Sequence, residues 1–288
     1  MVWGARIFWL GVAVTGGAGV GAALDGHRRA VEVAGTAAAW AGWAIGAIAL
    51  AVPSVAMLTV ARVTIPASVV VAVAVVIDGA EPGQTIALLA PALLCTTLVG
   101  SAEFGRAYLQ ASAYGAEARF GLRPPIGYLL ACVASWLPTV VALVLVLPAL
   151  AGRAWVLGIA SVAVGAGGLA LLPRRWHQLS RRWLVLVPAG LVVHDPVVLA
   201  DTLMMPRGTI AGVGLDDLGA ASQTAADLTG PTPGLAVEIR LARPVDVLLA
   251  PTSTHGDVTK IHATALVVSP TRPGAVVRAM AGAGYPTG

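Results

Sequence analysis

The stretch PRRWHQLSRRW (residues 173–183) decides the organisation of this chain, because the character of the sequence changes there. Residues 1–172 contain long runs of Ala, Val, Leu and Gly with few charges, whereas the residues after it alternate between apolar and polar in short runs. Basic and Trp residues gather where a membrane helix meets water. The stretch therefore predicts a basic juxtamembrane collar (residues 173–182) between a membrane domain (1–172) and a β-rich domain (183–288).

Composition places the first domain in a lipid bilayer. The chain has 288 residues, of which 57% are hydrophobic and only 11% are charged, whereas soluble domains carry roughly 25% charged residues. Six apolar runs approach the ~20 residues that a helix needs to cross a bilayer. They predict an α-helical membrane protein with about six transmembrane helices, with a turn at Pro53 between the second and third, at residues 6–24, 33–51, 54–77, 85–100, 126–147 and 154–172.

The distribution of charge predicts the orientation of these helices. Arginines are concentrated in the collar and in the connection 101–125, whereas the turn at residues 78–81 carries two acidic residues and no basic one. Loops rich in Lys and Arg stay in the cytoplasm. We therefore expect a protein of the cytoplasmic membrane with both termini and the β-rich domain in the cytoplasm. Arg28 and Arg29 would then lie outside, against the rule.

Arg62 is the charged residue that lies deepest in a predicted span, eight residues into the third. An ionisable group inside a membrane costs a few kcal/mol and usually faces the bundle interior or a water-filled path. One interpretation is a polar site for an anionic lipid or substrate, with Glu103 as the partner of Arg62. The other is an arginine that extends to the cytoplasmic interface.

The connection 101–125 interleaves aromatic and charged residues and ends at Pro124-Pro125. This pattern predicts an amphipathic helix on the inner face of the membrane. Such a helix is either a docking surface or a solvated extension of the fourth span. The candidate partner-binding residues in it are Glu103, Arg106, Tyr108 and Tyr114.

The collar is a candidate lipid-binding segment. Each Arg near an anionic leaflet contributes about 1 kcal/mol of attraction, although positioning of the last helix explains the same residues. The candidate lipid-binding residues are Arg174, Arg175, Arg181 and Arg182, flanked by Trp176 and Trp183. Anionic lipids of the inner leaflet are the expected partners.

No catalytic, nucleotide-binding or metal-binding motif stands in the sequence. His255 and His262 are seven residues apart without a neighbouring Cys, which does not fit a zinc site, and Asp216-Asp217 is typical of a solvent loop. Cys95 and Cys132 lie in apolar runs and predict no disulfide. We expect no cofactor, no bound metal and no nucleic-acid partner, and the balance is against an enzyme.

The β-rich domain opens with a hairpin. Residues 183–187 and 191–194 predict two strands around the tight turn Pro188-Ala189-Gly190. Further strands are expected at residues 197–204, 208–213, 235–241, 244–249 and 260–268, with a helix over 275–282. About seven strands closed by one C-terminal helix is the predicted architecture.

This order of elements resembles bacterial pleckstrin-homology-like domains that lie beside membrane spans. The stretches that carry the resemblance are WLVLVPAGLVVHD (183–195), MMPRGTIAGV (204–213) and LVVSPTRPGAVVRAM (266–280). The stretches 106–125 and 181–196 also resemble a group of actinobacterial multi-pass membrane proteins. The resemblance implies a domain whose sheet and loops bind lipids, peptides or proteins and rarely carry out catalysis, although fold alone does not fix function.

Three functions therefore follow as expectations. The first is a non-enzymatic membrane protein that acts as a scaffold or senses the membrane surface, together with an unidentified membrane or cytoplasmic protein partner. The second is a small transporter or lipid-handling protein with its polar site around Arg62 and Glu103. The third is a membrane-embedded enzyme, for which no convincing set of catalytic residues is present.

Overall fold

The computed structural model of the protein describes residues 1–216, 225–251 and 256–287 and divides into two compact units. The helical unit comprises Met1–Tyr108 and Ala131–His177. The sheet-rich unit comprises Leu109–Leu130 and Gln178–Gly288. The chain therefore passes between the units three times, whereas the sequence predicted one passage, at the collar.

Nine helices precede residue 183 in the described part of the chain. They are α1 (Val2–Leu24), α2 (Arg29–Ala51), α3 (Val55–Thr64), α4 (Ala67–Ile77), α5 (Pro82–Gly100), α6 (Ala102–Ala111), α7 (Ile126–Ala151), α8 (Trp155–Leu171) and α9 (Pro173–Ser180).

Among the described residues, five helical segments are long and apolar enough to cross a membrane: α1, α2, α3 with α4, α5 and α7. The prediction of helices that are long and apolar enough to span a membrane is thereby confirmed. Helix α8 is shorter, and α9 follows it after a bend of 44°, so the pair forms a sixth candidate. The predicted number of six is reached only when α8 and α9 count as one span.

The third span is broken at a proline. Pro66 lies between α3 and α4, and because proline has no backbone N–H, it interrupts the helical hydrogen bonds. Ser54 is the N-cap of α3, because its hydroxyl accepts a hydrogen bond from the backbone N–H of Met57 at 3.2 Å.

Two tryptophans join α1 to α2. The indole N–H of Trp9 donates to the Trp43 carbonyl at 2.9 Å, and the indole N–H of Trp43 donates to the Trp9 carbonyl at 3.0 Å. The Trp9 ring lies so close to Gly46 that a Cβ there would be 2.3 Å from a ring carbon. Gly46 therefore allows the close approach of the Trp9 ring, whereas Gly42 on the same helix faces open space.

The sheet-rich unit contains two four-stranded sheets in its described part. Its strands are β1 (Ala118–Gly121), β2 (Trp183–Val187), β3 (Gly190–His194), β4 (Leu203–Pro206), β5 (Ile210–Asp216), β6 (Ala225–Asp227), β7 (Ala236–Leu249) and β8 (Thr259–Val268), followed by α10 (Pro273–Gly282). The first sheet has the order β1-β2-β3-β4, and the second has the order β5-β7-β8-β6. A sheet-rich region with a final helix was predicted and is confirmed.

Strand β1 comes from the connection between the fourth and fifth apolar helices. It pairs antiparallel with β2, with Arg119 opposite Val185 and Phe120 opposite Leu184. The prediction of one amphipathic helix over residues 101–125 is therefore wrong, because α6 ends at Ala111 and the chain turns at Gly115, whose φ is +58°. This connection therefore contributes a strand to the sheet-rich unit.

Both sheets and α10 contribute to one hydrophobic core. Phe120 from β1 lies in it beside Leu184 and Leu191 of the β2–β3 hairpin, and Val276 and Met280 come from α10. Burial of such side chains contributes roughly 1.5–3 kcal/mol each. The four residues of β1 are thus an integral part of the sheet-rich unit.

Strands β7 and β4 differ from their predicted limits. The expected strands 235–241 and 244–249 form a single strand with an irregularity between Arg240 and Val245. The run 197–204 is mostly irregular, and β4 begins only at Leu203.

Candidate functional site

Arg62, the deepest predicted charge, lies at the end of a neighbouring helix in the helical unit. Its Nε donates to the Val99 carbonyl at 3.4 Å, within the last turn of α5. A Cβ on Gly105 would lie only 2.7 Å from the Nη2 of Arg62, so the glycine leaves room for the guanidinium. The last carbonyls of a helix lack intrahelical partners and carry partial negative charge, which stabilises a cation. The guanidinium therefore has a structural role at the junction between α5 and α6.

The last backbone carbonyls of α2 also accept hydrogen bonds from side chains. Arg6 Nε donates to the Leu50 carbonyl at 3.0 Å, and the Tyr108 hydroxyl donates to the Ala49 carbonyl at 2.8 Å. Tyr108 is fully buried and stacks on Phe104 with ring centroids 4.4 Å apart. Tyr108, predicted as a partner-binding candidate, therefore packs in the interior of the helical unit.

The other residues predicted on the connection 101–125 have different surroundings. Glu103 lies in the first turn of α6, two residues before Gly105, so it belongs to the same junction as Arg62. Arg106 is exposed, and Tyr114 is 85% exposed in the turn that precedes β1. Arg106 and Tyr114 remain accessible candidates for contact with a partner or lipid.

The collar forms helix α9, and its two faces differ. Arg174 and Arg175 are exposed. Trp176 is buried and its indole N–H donates to the Cys132 carbonyl of α7 at 3.4 Å, while His177 Nδ1 lies 2.8 Å from the Thr59 hydroxyl of α3. Trp176, predicted as a lipid contact, is therefore an internal anchor of the helical unit.

Arg182 is also an internal residue, contrary to its prediction as a lipid contact. Its side chain and that of Asp195 are fully buried, and they form a two-pronged ion pair with N–O distances of 2.8 and 2.6 Å. Arg182 also donates to the Arg123 carbonyl. Asp195 further accepts the backbone N–H of Val197 at 3.1 Å. The pair joins the end of β1 to the β2–β3 hairpin.

The outer face of the first sheet carries a group of cationic and aromatic side chains, which we call the basic aromatic cluster: Arg119, Arg181, Trp183 and His194. Trp183 and His194 are paired across β2 and β3, and their rings stack at 4.9 Å. The Arg119 guanidinium lies 5.6 Å from the Trp183 ring centroid, within the range of cation–π attraction. Arg181 Nη2 lies 3.2 Å from His194 Nε2.

Acidic and polar neighbours fix the orientation of this cluster. Glu117 binds Arg119 at 2.7 Å, and the pKa of Glu117 is lowered because its carboxylate accepts the Tyr114 backbone N–H and, to a smaller extent, the Arg119 N–H. The Thr202 hydroxyl lies 2.9 Å from His194 Nδ1. The cluster thus combines cations, an imidazole and a flat apolar surface, a composition suited to binding anionic groups.

Sequence reasoning found Arg181 and Trp183 but missed Arg119 and His194. The signal for His194 was present, because a tight turn between Val187 and Gly190 fixes the register that places Trp183 opposite His194. Arg119 could not be assigned, since the pairing of β1 with β2 joins residues about sixty positions apart.

Metal binding has no support among residues 1–216, 225–251 and 256–287, where no group of three or more His, Cys, Asp and Glu side chains could hold an ion. His255 and Asp217, which the sequence analysis considered, lie outside the described residues. His262 binds Asp246 at 2.5 Å on the surface of the β7–β8 pair.

Comparison of the chain with protein-family models, with curated proteins and with solved structures gives no match in any of the three.

Proposed function

We propose that this chain is a non-enzymatic protein of the cytoplasmic membrane, in which six helices anchor a cytoplasmic, pleckstrin-like unit that engages the membrane surface as part of a membrane complex. The observation that carries the proposal is the pairing of β1 with β2. It builds one sheet from the connection between α6 and α7 and from the region that follows α9.

This pairing supports six spans. Strands β1 and β2 exchange hydrogen bonds, so they lie on the same side of the bilayer. Between them α7 has 26 residues, enough to cross with length to spare. The chain then has to return before β2, and α8, alone or with α9, is the segment that lies between. With four spans before β1, the amino terminus lies on the side of the sheets.

Charge supports the cytoplasm as that side. The exposed arginines Arg106, Arg174 and Arg175 belong to α6 and α9, the helices that precede β1 and β2 along the chain. Arg29 would lie on the opposite side, against the rule that basic loops stay in the cytoplasm. Its ion pair with Glu32 at 3.2 Å offsets its charge and so reduces this conflict.

The pleckstrin-like assignment is supported by two antiparallel-rich sheets that share one core and by a C-terminal helix that packs into it. Within this assignment the basic aromatic cluster is the contact surface of the sheet-rich unit for anionic headgroups. The exposed arginines of α9 are a separate candidate contact. The bond from Arg62 to the carbonyl end of α5 favours this function over transport.

Topology is the first prediction to test. In a variant without native cysteines (Cys95→Ala, Cys132→Ala), single cysteines would replace Tyr114, Val258 and Arg28, all exposed. In intact cells an impermeant maleimide is expected to label the cysteine at 28 and to spare those at 114 and 258. Labelling at only one of 114 and 258 would contradict six spans, and labelling at both with protection at 28 would reverse the orientation.

Lipid selectivity is the second prediction. The full chain in mild detergent with equal phosphatidylglycerol and phosphatidylcholine is expected to retain the anionic lipid preferentially in native mass spectra. Arg174→Gln with Arg175→Gln should reduce this preference about fivefold per residue, from the ~1 kcal/mol of each Arg near an anionic surface. Arg278→Gln, an exposed position on α10, is the matched control. Equal retention of both lipids by the wild type would refute the membrane-surface function.

A further inference from the structure

We propose that His194 is a protonation switch for the basic aromatic cluster: neutral His194 holds Arg181 on the first sheet, and protonated His194 releases it toward anionic lipid headgroups. The identity of the ligand rests on the proposed function. The release step rests on the geometry of His194 alone.

The hydrogen bonds of His194 assign its neutral form. A guanidinium only donates, so His194 Nε2, which lies 3.2 Å from Arg181 Nη2, accepts and carries no proton. The proton of the neutral ring is then on Nδ1, which donates to the Thr202 hydroxyl at 2.9 Å. Protonation at Nε2 places two donors against each other, and the bond to Arg181 is lost.

The charges that face His194 from every neighbouring element oppose protonation or are engaged elsewhere. Arg181 precedes β2 and Arg119 comes from β1, and both are cations. The carboxylate of Asp195 holds Arg182 with both oxygens, and that of Glu117 holds Arg119. The carboxylate of Asp201, in the loop beside Thr202, accepts the Thr202 backbone N–H at 2.7 Å.

These surroundings set the direction of the titration. Burial lowers the pKa of His194 below its ordinary value of 6.5, Arg181 lowers it further, and Asp195 acts in the opposite sense. His194 is therefore neutral at neutral pH and gains its proton only in acid. Protonation then adds the His194 cation to that of Arg119 beside the Trp183 ring, and it frees the Arg181 guanidinium from its hydrogen bond to Nε2. The affinity of this face for anionic headgroups increases as the pH falls.

The switch is tested on the full chain labelled with 5-fluorotryptophan in phosphatidylcholine nanodiscs, with the Trp183 resonance assigned from the Trp183→Phe variant. Its ¹⁹F shift is expected to titrate with pH, because the His194 ring stacks on Trp183. His194→Gln should abolish the titration. His262→Gln, which removes an exposed histidine of the second sheet, should leave it unchanged. Arg181→Gln should move the midpoint to higher pH, since a neighbouring cation is removed.

A wild-type Trp183 shift that does not titrate, or that titrates equally in His194→Gln, overturns the switch. The ligand is tested separately with phosphatidylglycerol nanodiscs, where binding to the protonated form should raise the midpoint. An unchanged midpoint overturns the lipid assignment while the switch stands. Inorganic phosphate is also added to phosphatidylcholine nanodiscs. If phosphate raises the midpoint and phosphatidylglycerol does not, the ligand is a soluble anion and the lipid assignment is overturned.

Discussion

Replacement of Arg182 by methionine is expected to destabilise the sheet-rich unit by about 3–5 kcal/mol, the usual cost of removing one partner of a buried ion pair. The substitution leaves the Asp195 carboxylate in the interior without its cation. Hydrogen–deuterium exchange of the full chain measures the effect, because amides of β2 and β3 then exchange on the order of 10²- to 10⁴-fold faster.

The control for this experiment is the other Asp pair of the same unit. Lys260→Met removes one partner of Asp246 on the surface, where both side chains are about half exposed, and should leave exchange in β2 and β3 unchanged. The double variant Arg182→Met with Asp195→Leu should recover much of the lost protection, because an apolar pair carries no buried charge. Wild-type exchange in Arg182→Met would show that the pair contributes nothing to the unit.

Replacement of Gly46 by alanine should destabilise the helical unit by about 1–3 kcal/mol, the typical cost of overpacking a close contact. The new methyl group meets the Trp9 ring, which the reciprocal indole hydrogen bonds with Trp43 hold in place. The midpoint of thermal unfolding of the full chain in detergent is the measurement. Gly42→Ala adds the same methyl group to the same helix in open space and should not lower the midpoint. Equal midpoints for the two variants would argue against a tight contact at Gly46.

The long apolar helices could be predicted from sequence because each is a continuous local run whose length and apolar content are those of a membrane span. The break at Pro66 was missed, since hydropathy does not distinguish a straight helix from a broken one. Helix α8 was predicted as an ordinary span, although it is short and bends into α9.

The sheet-rich unit was predicted where its contacts are local. The β2–β3 hairpin lies where its turn residues indicated, whereas β1 depends on partners that are remote in sequence. The alternation of polar Arg119 and apolar Phe120 fits a strand, but the neighbouring residues also fit the period of a helix. The four residues of β1 are too few to decide between a strand and a helix. The same hairpin register places Arg182 level with Asp195, and this local signal for a buried ion pair was available in the sequence.

Strand β1 is synthesised well before its neighbour β2. Sixty-one residues, which include α7, α8 and α9, separate Gly121 from Trp183, and at 5–20 residues per second their translation takes roughly 3 to 12 s. During that time β1 has no partner strand, and its backbone amides and carbonyls are open to other chains. Synthesis of α7, α8 and α9 therefore precedes closure of the first sheet. A ribosome that stalls within this interval would leave a nascent chain with an open strand edge, which is prone to aggregation.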